Sequence, residues 1–213
     1  MSKPVLSYFD LNGRADPIRF MLYYNGVDFE DNRIPREKWI EEKKSGKFPF
    51  EQVPILQIDG KTLSQSHSIL RYLGAKYDQY PNDGDRLYEV CWWLDCIRDI
   101  VQKLTTTVRG DDEEAKNKAR EEFLATTVPK YASKWESNFV SNNRKERGYL
   151  VGDSITVADF VVLSFLANVA LSPALKDKYH ATFLTHAPEL LKWAETKIEH
   201  YSEVFFNEER RPS

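Results

Sequence analysis

The sequence predicts a fold in two parts, an α/β domain followed by an all-helical domain, and three observations support this prediction. Strand-like and helix-like patterns alternate over the first 77 residues. A stretch dense in turn-forming residues, DQYPNDGD at 78–85, then interrupts the alternation. After it, apolar residues recur only at helical spacing. We therefore expect an α/β domain at 1–77, a linker at 78–85 and a helical bundle at 86–213.

The α/β domain is predicted to follow the order βαβα-ββα. Short apolar runs indicate its strands, and apolar positions three or four residues apart indicate its helices. A glycine closes the first helix, and an Asp-Gly pair forms the turn between the last two strands. The predicted elements are a strand at 4–9, a helix at 14–25, an extended stretch at 27–34, a short charged helix at 36–44, strands at 53–58 and 61–63, and a helix at 66–76.

The second domain is predicted to contain helices at 87–108, 113–140, 156–171 and 187–198. The third of these begins within GDSITVADF, where Thr156 can cap the helix and Asp159 can reach back to a free backbone amide. A carboxylate in a first helical turn is ordinarily such a partner. We therefore interpret Asp159 as a structural residue.

Composition disfavours several classes of function. The formal charge is -3, so no basic excess favours nucleic acid or anionic lipid as a partner. The N-terminus lacks the apolar core of a secretory signal, and the longest apolar stretch, 160–171, is too short to span a bilayer. The two cysteines, Cys91 and Cys96, fit neither a zinc pair nor a CxxC motif. We expect a cytoplasmic protein with free thiols, no metal site and no membrane partner.

Pro54 is unexpected in its place, inside an apolar run at 53–58 that otherwise indicates a buried strand. Proline donates no hydrogen bond to a sheet and is excluded from most central strands. A cis bond between Val53 and Pro54 turns the Val53 backbone outward, where it can pair with an extended peptide. A trans proline at the start of a strand is the alternative, and the local sequence leaves both open.

Gln65 and Ser66 stand where the last predicted strand passes into a helix. The start of a helix offers unpaired amides and a positive dipole end, which suit a ligand carboxylate, although Ser66 can also be a plain N-cap. The first 90 residues contain no cysteine, so this domain cannot carry out dithiol exchange. Any thiol handled here therefore belongs to the ligand.

Four segments together resemble the cytosolic glutathione transferases, and most of all their sigma class. VLSYFDLNGRADPIRFML resembles the opening strand and first helix of that class, and KWIEEKKSGKFPFEQVPIL resembles its loop and cis-proline. LSQSHSILRYLG resembles the γ-glutamyl motif, and GDSITVADF the capping box of the helical domain. The resemblance extends from Lys3 to about Trp193.

The resemblance implies a thioredoxin-like N-terminal domain that binds glutathione as co-substrate, a helical domain that completes the electrophile pocket, and a homodimer. It implies that Tyr8 is the catalytic tyrosine and that Arg14 supports it. The remaining glutathione-binding residues that it implies are Trp39 and Lys43 for the glycyl carboxylate, Gln52, Val53 and Pro54 for the cysteinyl backbone, Gln65 and Ser66 for the γ-glutamyl unit, and Asp99 for the ligand of the partner subunit.

Thiol activation is the chemistry that such a site must perform. A free thiol with a pKa of about 8.5 is only a few per cent thiolate at neutral pH. A donor that lowers this pKa by about two units makes thiolate the main species, which corresponds to roughly 2.7 kcal/mol. The hydroxyl of Tyr8, helped by Arg14, is a donor of the right kind.

The expected function is therefore conjugation of glutathione to hydrophobic electrophiles. The electrophile pocket is expected to involve Phe9, Gly13, Thr105, Val161 and Phe165, with Phe205 or Phe206 from the tail. Within the family the alternative is a glutathione-dependent prostaglandin D synthase, and outside catalysis it is a ligand-carrying or structural protein like the lens crystallins that resemble this class. A glutaredoxin-like reductase is disfavoured because the N-terminal domain lacks cysteine.

Two segments depart from the family pattern. Glu51 occupies a position where the family commonly has glycine, so its backbone either avoids a positive φ or is strained. The tail after Trp193 also differs from the shorter basic endings expected for the family. The Glu51 departure puts the affinity for glutathione in question. The departure in the tail means that the pocket wall formed by the tail cannot be inferred from the family.

Overall fold

The chain divides into two units in the computed structural model, which describes residues 3–108, 110–142, 144–173 and 175–202. The first unit ends at Tyr80 and also takes in Tyr201, whose ring packs 5.7 Å from that of Phe20. The second unit is Pro81–His200. The predicted domain limits, 1–77 and 86–213, stay predictions.

The first unit is built on a four-stranded sheet with the order β2-β1-β3-β4. Strand β1 pairs in parallel with β2, while β3 pairs antiparallel with both β1 and β4. Leu6 and Leu56 lie on one face of this sheet and Ile55 on the other, and none of the three is exposed to solvent. The strands are β1 (Val5–Phe9), β2 (Glu30–Ile34), β3 (Ile55–Ile58) and β4 (Lys61–Ser64).

Three α-helices accompany the sheet: α1 (Asp16–Tyr24), α2 (Trp39–Glu42) and α3 (Ser66–Lys76). The bounds of α3 agree with the sequence prediction. The charged helix expected at 36–44 is instead the short α2 between two 3₁₀ turns, Arg36–Lys38 and Lys43–Ser45. No residue of these three elements is buried, so no apolar face stabilises a longer helix there.

The regular elements of the second unit are all helices among its described residues. The helix predicted at 113–140 is divided by a π-helical segment, Phe123–Thr127, because Pro129 has no N–H to donate to the carbonyl four residues earlier. The helices are α4 (Gly84–Thr106), α5 (Glu113–Glu122), α6 (Val128–Ser141), α7 (Arg144–Arg147), α8 (Val157–Asn168), α9 (Lys176–His186) and α10 (Pro188–His200).

Helix α8 is the centre of the second unit, and it buries every residue from Val157 to Ala167. Aromatic rings pack beside it: the ring of Trp135 on α6 lies 5.7 Å from Phe165 and 6.4 Å from Phe183. The predicted fold class, a thioredoxin-like domain followed by a helical bundle, is confirmed.

The capping box at the start of α8 is confirmed. The backbone N–H of Thr156 donates to Asp159 Oδ2 at 2.8 Å, and that of Leu150 donates to Oδ1 at 2.8 Å. Asp159 is only 1% exposed, and burial raises the pKa of its carboxyl from 3.8 to about 6, although these hydrogen bonds oppose the shift. The carboxylate therefore joins the loop before α8 to the helix.

The cysteines and the hydropathy of the helices bear on two further expectations. Cys91 and Cys96 are free thiols on α4, and both are partly buried. Burial raises the pKa of the Cys96 thiol, which disfavours the reactive thiolate form. Within the described ranges, no helix combines the length and apolar character needed to cross a membrane.

Candidate active site

Three stretches singled out in the sequence meet at one end of the sheet. The register pairs Ser7 with Ile55, and Ile55 with Ser64. Because neighbouring antiparallel strands run in opposite directions, the end of β1, the start of β3 and the end of β4 lie side by side. Tyr8, Pro54 and the start of α3 are thereby brought to the same edge of the first unit.

Tyr8 is the next-to-last residue of β1 and is 7% exposed. Its Oη accepts a hydrogen bond from the backbone N–H of Arg14 at 3.2 Å. Arg14 lies in the 3₁₀ turn Gly13–Ala15, which leads from the strand into α1. The support expected from Arg14 thus includes its main-chain amide, a contact that does not depend on the identity of its side chain.

Gly13 determines how closely this turn can approach Tyr8. Its φ is +46°, and a Cβ at this position would lie 2.7 Å from Tyr8 Oη and 2.6 Å from Leu11 Cδ1. No side chain fits at these distances without displacing the hydroxyl or Leu11. Gly13, which the sequence analysis assigned to the electrophile pocket, therefore lies directly against the Tyr8 hydroxyl.

The peptide bond between Val53 and Pro54 is cis, which confirms that expectation. Pro54 is buried, and Val53 packs against a cluster formed by Ile34, Phe48 and Ile55. The cluster lies where β2 and β3 meet the loop between them. It anchors Val53, the residue before the cis bond.

Trp39 packs against the same cluster. Its ring lies 5.4 Å from Phe9 and 5.1 Å from Phe48, in edge-to-face arrangements with both. Phe9, which ends β1, is thus joined through Trp39 to the loop before β3. Packing is one role of Trp39, and its contact with a glycyl carboxylate stays a prediction.

Lys43 lies close to Glu51, with 3.9 Å between Nζ and Oε2. Glu51 has a φ of 48°, and Phe50 before it has a φ of 58°. The loop therefore does not avoid the left-handed region, and two residues other than glycine occupy it. Gln52 follows in an extended conformation and is exposed.

Gln65 is the N-cap residue of α3 and also has a positive φ, 68°. Its side chain makes no capping hydrogen bond, and Ser66 is the first helical residue. The alternative in which Ser66 is the N-cap is therefore wrong, because the N-cap is Gln65, one residue earlier. A strained residue other than glycine at an exposed helix start is a feature that clusters at functional sites.

Comparison with known proteins identifies the family to which the chain belongs. Sequence models of the glutathione S-transferase N-terminal and C-terminal domains match residues 4–75 and 98–203. Glutathione S-transferase 2 of Manduca sexta is 34% identical over 182 residues, covering 84% of this chain and 86% of that protein. The chain belongs to the glutathione S-transferase family. Rat glutathione S-transferase alpha-2 is 33% identical over 199 residues, covering 92% of this chain and 83% of its own length.

Solved structures of transferase relatives show the same fold. The prostaglandin synthase D of Nilaparvata lugens superposes with a TM-score of 0.78 at 31% identity, covering 95% of this chain and 98% of that one. The glutathione S-transferase of Ascaris lumbricoides gives a TM-score of 0.75 at 28% identity, covering 100% and 99%. Membership confirms the expectation of a glutathione transferase, and glutathione is the co-substrate of the family.

The site residues expected in the helical unit of the transferase have the following surroundings. Asp99 is exposed on α4, with its Oδ1 3.9 Å from Arg98 Nε. Thr105 is half-buried and donates its hydroxyl to the carbonyl of Val101 at 2.7 Å. Val161 and Phe165 are buried in α8, while Phe205 and Phe206 lie outside the described residues. The roles of all these residues stay predictions.

The sequence analysis did not identify one charged residue near Tyr8 as part of the site. Arg19, on α1, is 2% exposed and donates from Nε to both carboxylate oxygens of Asp31 on β2, at 3.1 and 3.0 Å. Its Nη1 donates to the carbonyl of Leu11 at 2.9 Å. The available signal was an arginine inside the otherwise apolar helical pattern PIRFML. A charge inside such a pattern indicates a buried, paired side chain.

Proposed function

We propose that this transferase activates the glutathione thiol at Tyr8 and adds the resulting thiolate to hydrophobic electrophiles. The observation that carries the proposal is the hydrogen bond from the Arg14 amide to Tyr8 Oη, 3.2 Å long, at the end of β1. Because the phenolic oxygen accepts from this amide, its own O–H is directed away and is free to donate to sulfur. A hydrogen bond to the charged form lowers the pKa of the glutathione thiol.

Glutathione binding is proposed to use the edge of the sheet around Tyr8. Its γ-glutamyl carboxylate suits the start of α3 at Gln65 and Ser66, where helix amides and the dipole favour an anion. Its glycyl carboxylate suits Lys43 and Trp39, and its cysteinyl backbone suits the extended segment at Gln52, Val53 and Pro54. The convergence of these elements in the sheet register supports the arrangement.

The ammonium of the γ-glutamyl unit still requires an acid, for which we propose Asp99 of a second copy in a homodimer. The exposure of Asp99 on α4 is compatible with a role toward another chain. We also propose membership of the sigma class, on the four sequence segments that resemble it, and a cytoplasmic location, on the expectation of free thiols.

The electrophile is proposed to bind beside the sulfur in a pocket that involves Phe9, Gly13, Thr105, Val161, Phe165 and Phe205 or Phe206. The position of Gly13 against the Tyr8 hydroxyl supports the first part of this set, because an electrophile must approach the sulfur there. No group of metal-binding side chains occurs among the described residues, and the proposed chemistry uses none.

Prostaglandin D formation is the second candidate, since an isomerase of this kind uses the same thiolate. The observation in its favour is the likeness to the prostaglandin synthase D of Nilaparvata lugens, at 31% identity over 95% of this chain. A non-catalytic carrier is disfavoured, because such a protein has no physical need to retain Tyr8, Arg14, Lys43, Gln65 and Ser66 together.

The decisive experiment compares the wild type with Tyr8→Phe, using glutathione and a chlorodinitrobenzene electrophile. Tyr8→Phe should still bind glutathione resin, but it should raise the pKa of the bound thiol by more than about one unit and lower turnover at least about tenfold. Tyr72→Phe is the matched control, since it removes a hydroxyl that donates to Asp59 at 3.2 Å in the same unit.

Each outcome of this comparison is informative. An unchanged pH profile for Tyr8→Phe contradicts the assignment of Tyr8. Binding to the resin without conjugation of any electrophile supports the carrier. A parallel assay for prostaglandin D formation then decides between the two catalytic candidates, because only the pocket distinguishes them.

A further inference from the structure

Arg19 is a cation buried inside the first unit. It is 2% exposed, whereas Arg14 on the same turn-helix segment is exposed. A buried guanidinium is costly unless it is paired and hydrogen-bonded. Asp31 supplies the counter-charge, because Arg19 Nε lies 3.1 and 3.0 Å from its two carboxylate oxygens. This pair connects α1 to β2, across the strand that carries Tyr8.

One terminal nitrogen of the guanidinium, Nη1, binds the turn that joins β1 to α1, while Nη2 is buried without a hydrogen-bond partner among the described residues. Nη1 of Arg19 donates to the carbonyl oxygen of Leu11 at 2.9 Å and to that of Asn12 at 3.3 Å. The next two residues along the chain are Gly13 and Arg14. A planar guanidinium presents its donors in a fixed geometry, so the Asp31 pair also fixes the direction of the bonds to the turn.

The position of this turn determines the surroundings of the Tyr8 hydroxyl. The Arg14 amide donates to Tyr8 Oη, and Gly13 leaves no room for a Cβ beside it. Arg19 also acts on the ring directly, since its guanidinium carbon lies 5.9 Å from the Tyr8 ring centroid. One buried side chain therefore contacts both the ring and the turn that supplies the hydroxyl with its donor.

We infer that Arg19 is a positioning residue for the transferase reaction, which holds the turn at 11–14 so that the Arg14 amide meets the Tyr8 hydroxyl. The inference rests on the proposed function, because it assumes that Tyr8 donates to the glutathione sulfur. Without the guanidinium, the turn loses its hydrogen bonds at the Leu11 and Asn12 carbonyls and is held only by its backbone bonds, so it can shift relative to Oη. The phenol then loses its fixed orientation and stabilises the thiolate less.

A purely structural role is the competing interpretation, and Arg33 provides the control for it. Arg33 shares the carboxylate of Asp31, with Nε 2.9 Å from Oδ2, and its Nη1 donates to the Asp10 side chain at 3.3 Å. Arg33→Gln thus removes a cation from the same carboxylate. If the ion pairs of Asp31 serve only stability, Arg19 and Arg33 variants should alter the pH dependence of catalysis equally little.

The test uses Arg19→Lys, which keeps the charge but loses the planar fork, and Arg19→Gln, which keeps one donating NH2 group without charge. The bound glutathione thiol is titrated by its ultraviolet thiolate absorbance and by the pH profile of kcat/KM. Each Arg19 variant that folds should form about three- to tenfold less thiolate near neutral pH, while the Kd for glutathione at acidic pH, where the bound thiol is protonated, changes less than about twofold. Arg33→Gln should keep the wild-type profile.

Three results overturn the inference: a folded Arg19 variant with the wild-type pH profile, an equal shift in Arg33→Gln, or failure of both Arg19 variants to fold, which identifies stability as the role. Tyr8→Phe is measured in the same series. If Tyr8→Phe shifts the profile and the Arg19 variants do not, only the positioning role is wrong. If Tyr8→Phe has no effect either, the proposed function itself is wrong.

Discussion

Glu51 is predicted to weaken glutathione binding, because its carboxylate competes for the cation proposed to hold the glycyl carboxylate. Its Oε2 lies 3.9 Å from Lys43 Nζ, and its side chain is 63% exposed. At that distance two unit charges interact by about 1 kcal/mol in water, and exposed ion pairs contribute about 0 to 1 kcal/mol net. Glutathione must displace this contact to reach Lys43. Glu51→Gln should therefore lower its Kd about two- to fivefold.

Glu51→Gly adds a backbone effect to the loss of charge. The left-handed conformation costs a residue other than glycine about 1 to 2 kcal/mol, and Glu51 has a φ of 48°. Glycine removes this cost but gives the unfolded chain more freedom, which opposes the gain by about 0.4 to 1 kcal/mol. The free energy of unfolding should thus rise by about 0 to 1.6 kcal/mol, while the gain in glutathione affinity at least equals that of Glu51→Gln.

The assay is calorimetric titration with glutathione at low and high ionic strength. The advantage of Glu51→Gln should shrink as salt screens the exposed charges. Glu42→Gln is the matched control, since it removes the same charge from the end of α2, next to Lys43 in the chain, at a residue outside the Lys43–Glu51 contact. An unchanged Kd for Glu51→Gln, or an equal gain for Glu42→Gln, would refute the competition.

Three further predictions follow from the geometry. Gly13→Ala places a Cβ 2.7 Å from Tyr8 Oη, so it should destabilise the fold by about 1 to 3 kcal/mol and raise the pKa of the bound glutathione thiol. Gly26→Ala is also at positive φ but has open space around it, so it should leave the pKa of that thiol unchanged in the same titration. Asp99→Asn should weaken glutathione binding by about 1 to 3 kcal/mol and leave the dimer intact, and an active monomer in sedimentation contradicts the shared site. Burial raises the pKa of Asp159 from 3.8 to about 6, so the folded state binds its proton more tightly than the unfolded state does. The stability gained from that proton is complete below pH 3.8 and is lost as the pH rises through about 6, a change of about 3 kcal/mol that urea unfolding should detect in the wild type and not in Asp159→Asn.

The fold could be predicted largely because its signals are local. Helix α3 has turn-forming and polar residues before it and a clear apolar period within it, and its predicted bounds are those observed. Helix α9 was missed because only Tyr179 and Phe183 of its residues are buried, which leaves too few apolar positions to reveal a period. The π-helical segment was missed because its cause, Pro129, lies beyond it in the next helix.

The candidate site was predictable only in part, for a related reason. Tyr8, Pro54 and Ser66 lie in short segments whose pattern indicates their place in the fold. Arg19 and Asp31 are twelve residues apart, and their pairing depends on how α1 and β2 pack on β1. A charge inside an apolar helical pattern indicates burial, but the sequence alone does not identify its partner.

Backbone strain in the first unit is concentrated at the proposed glutathione site. Among the described residues, those with positive φ other than glycine are Phe50, Glu51, Asp59, Gln65 and Asp78. Aspartate enters the left-handed region readily, so Asp59 and Asp78 need no special explanation. The other three lie beside the cis-proline and at the start of α3, where each costs of order 1 to 3 kcal/mol. Packing elsewhere must offset this cost, and the fully buried Leu6, Ile55 and Leu56 of the sheet contribute to that packing. A loop chosen for stability alone would carry glycine or asparagine at Phe50 and Gln65, so the strain of these two residues supports a binding role for this edge of the sheet, whereas Glu51 is the residue predicted to weaken binding.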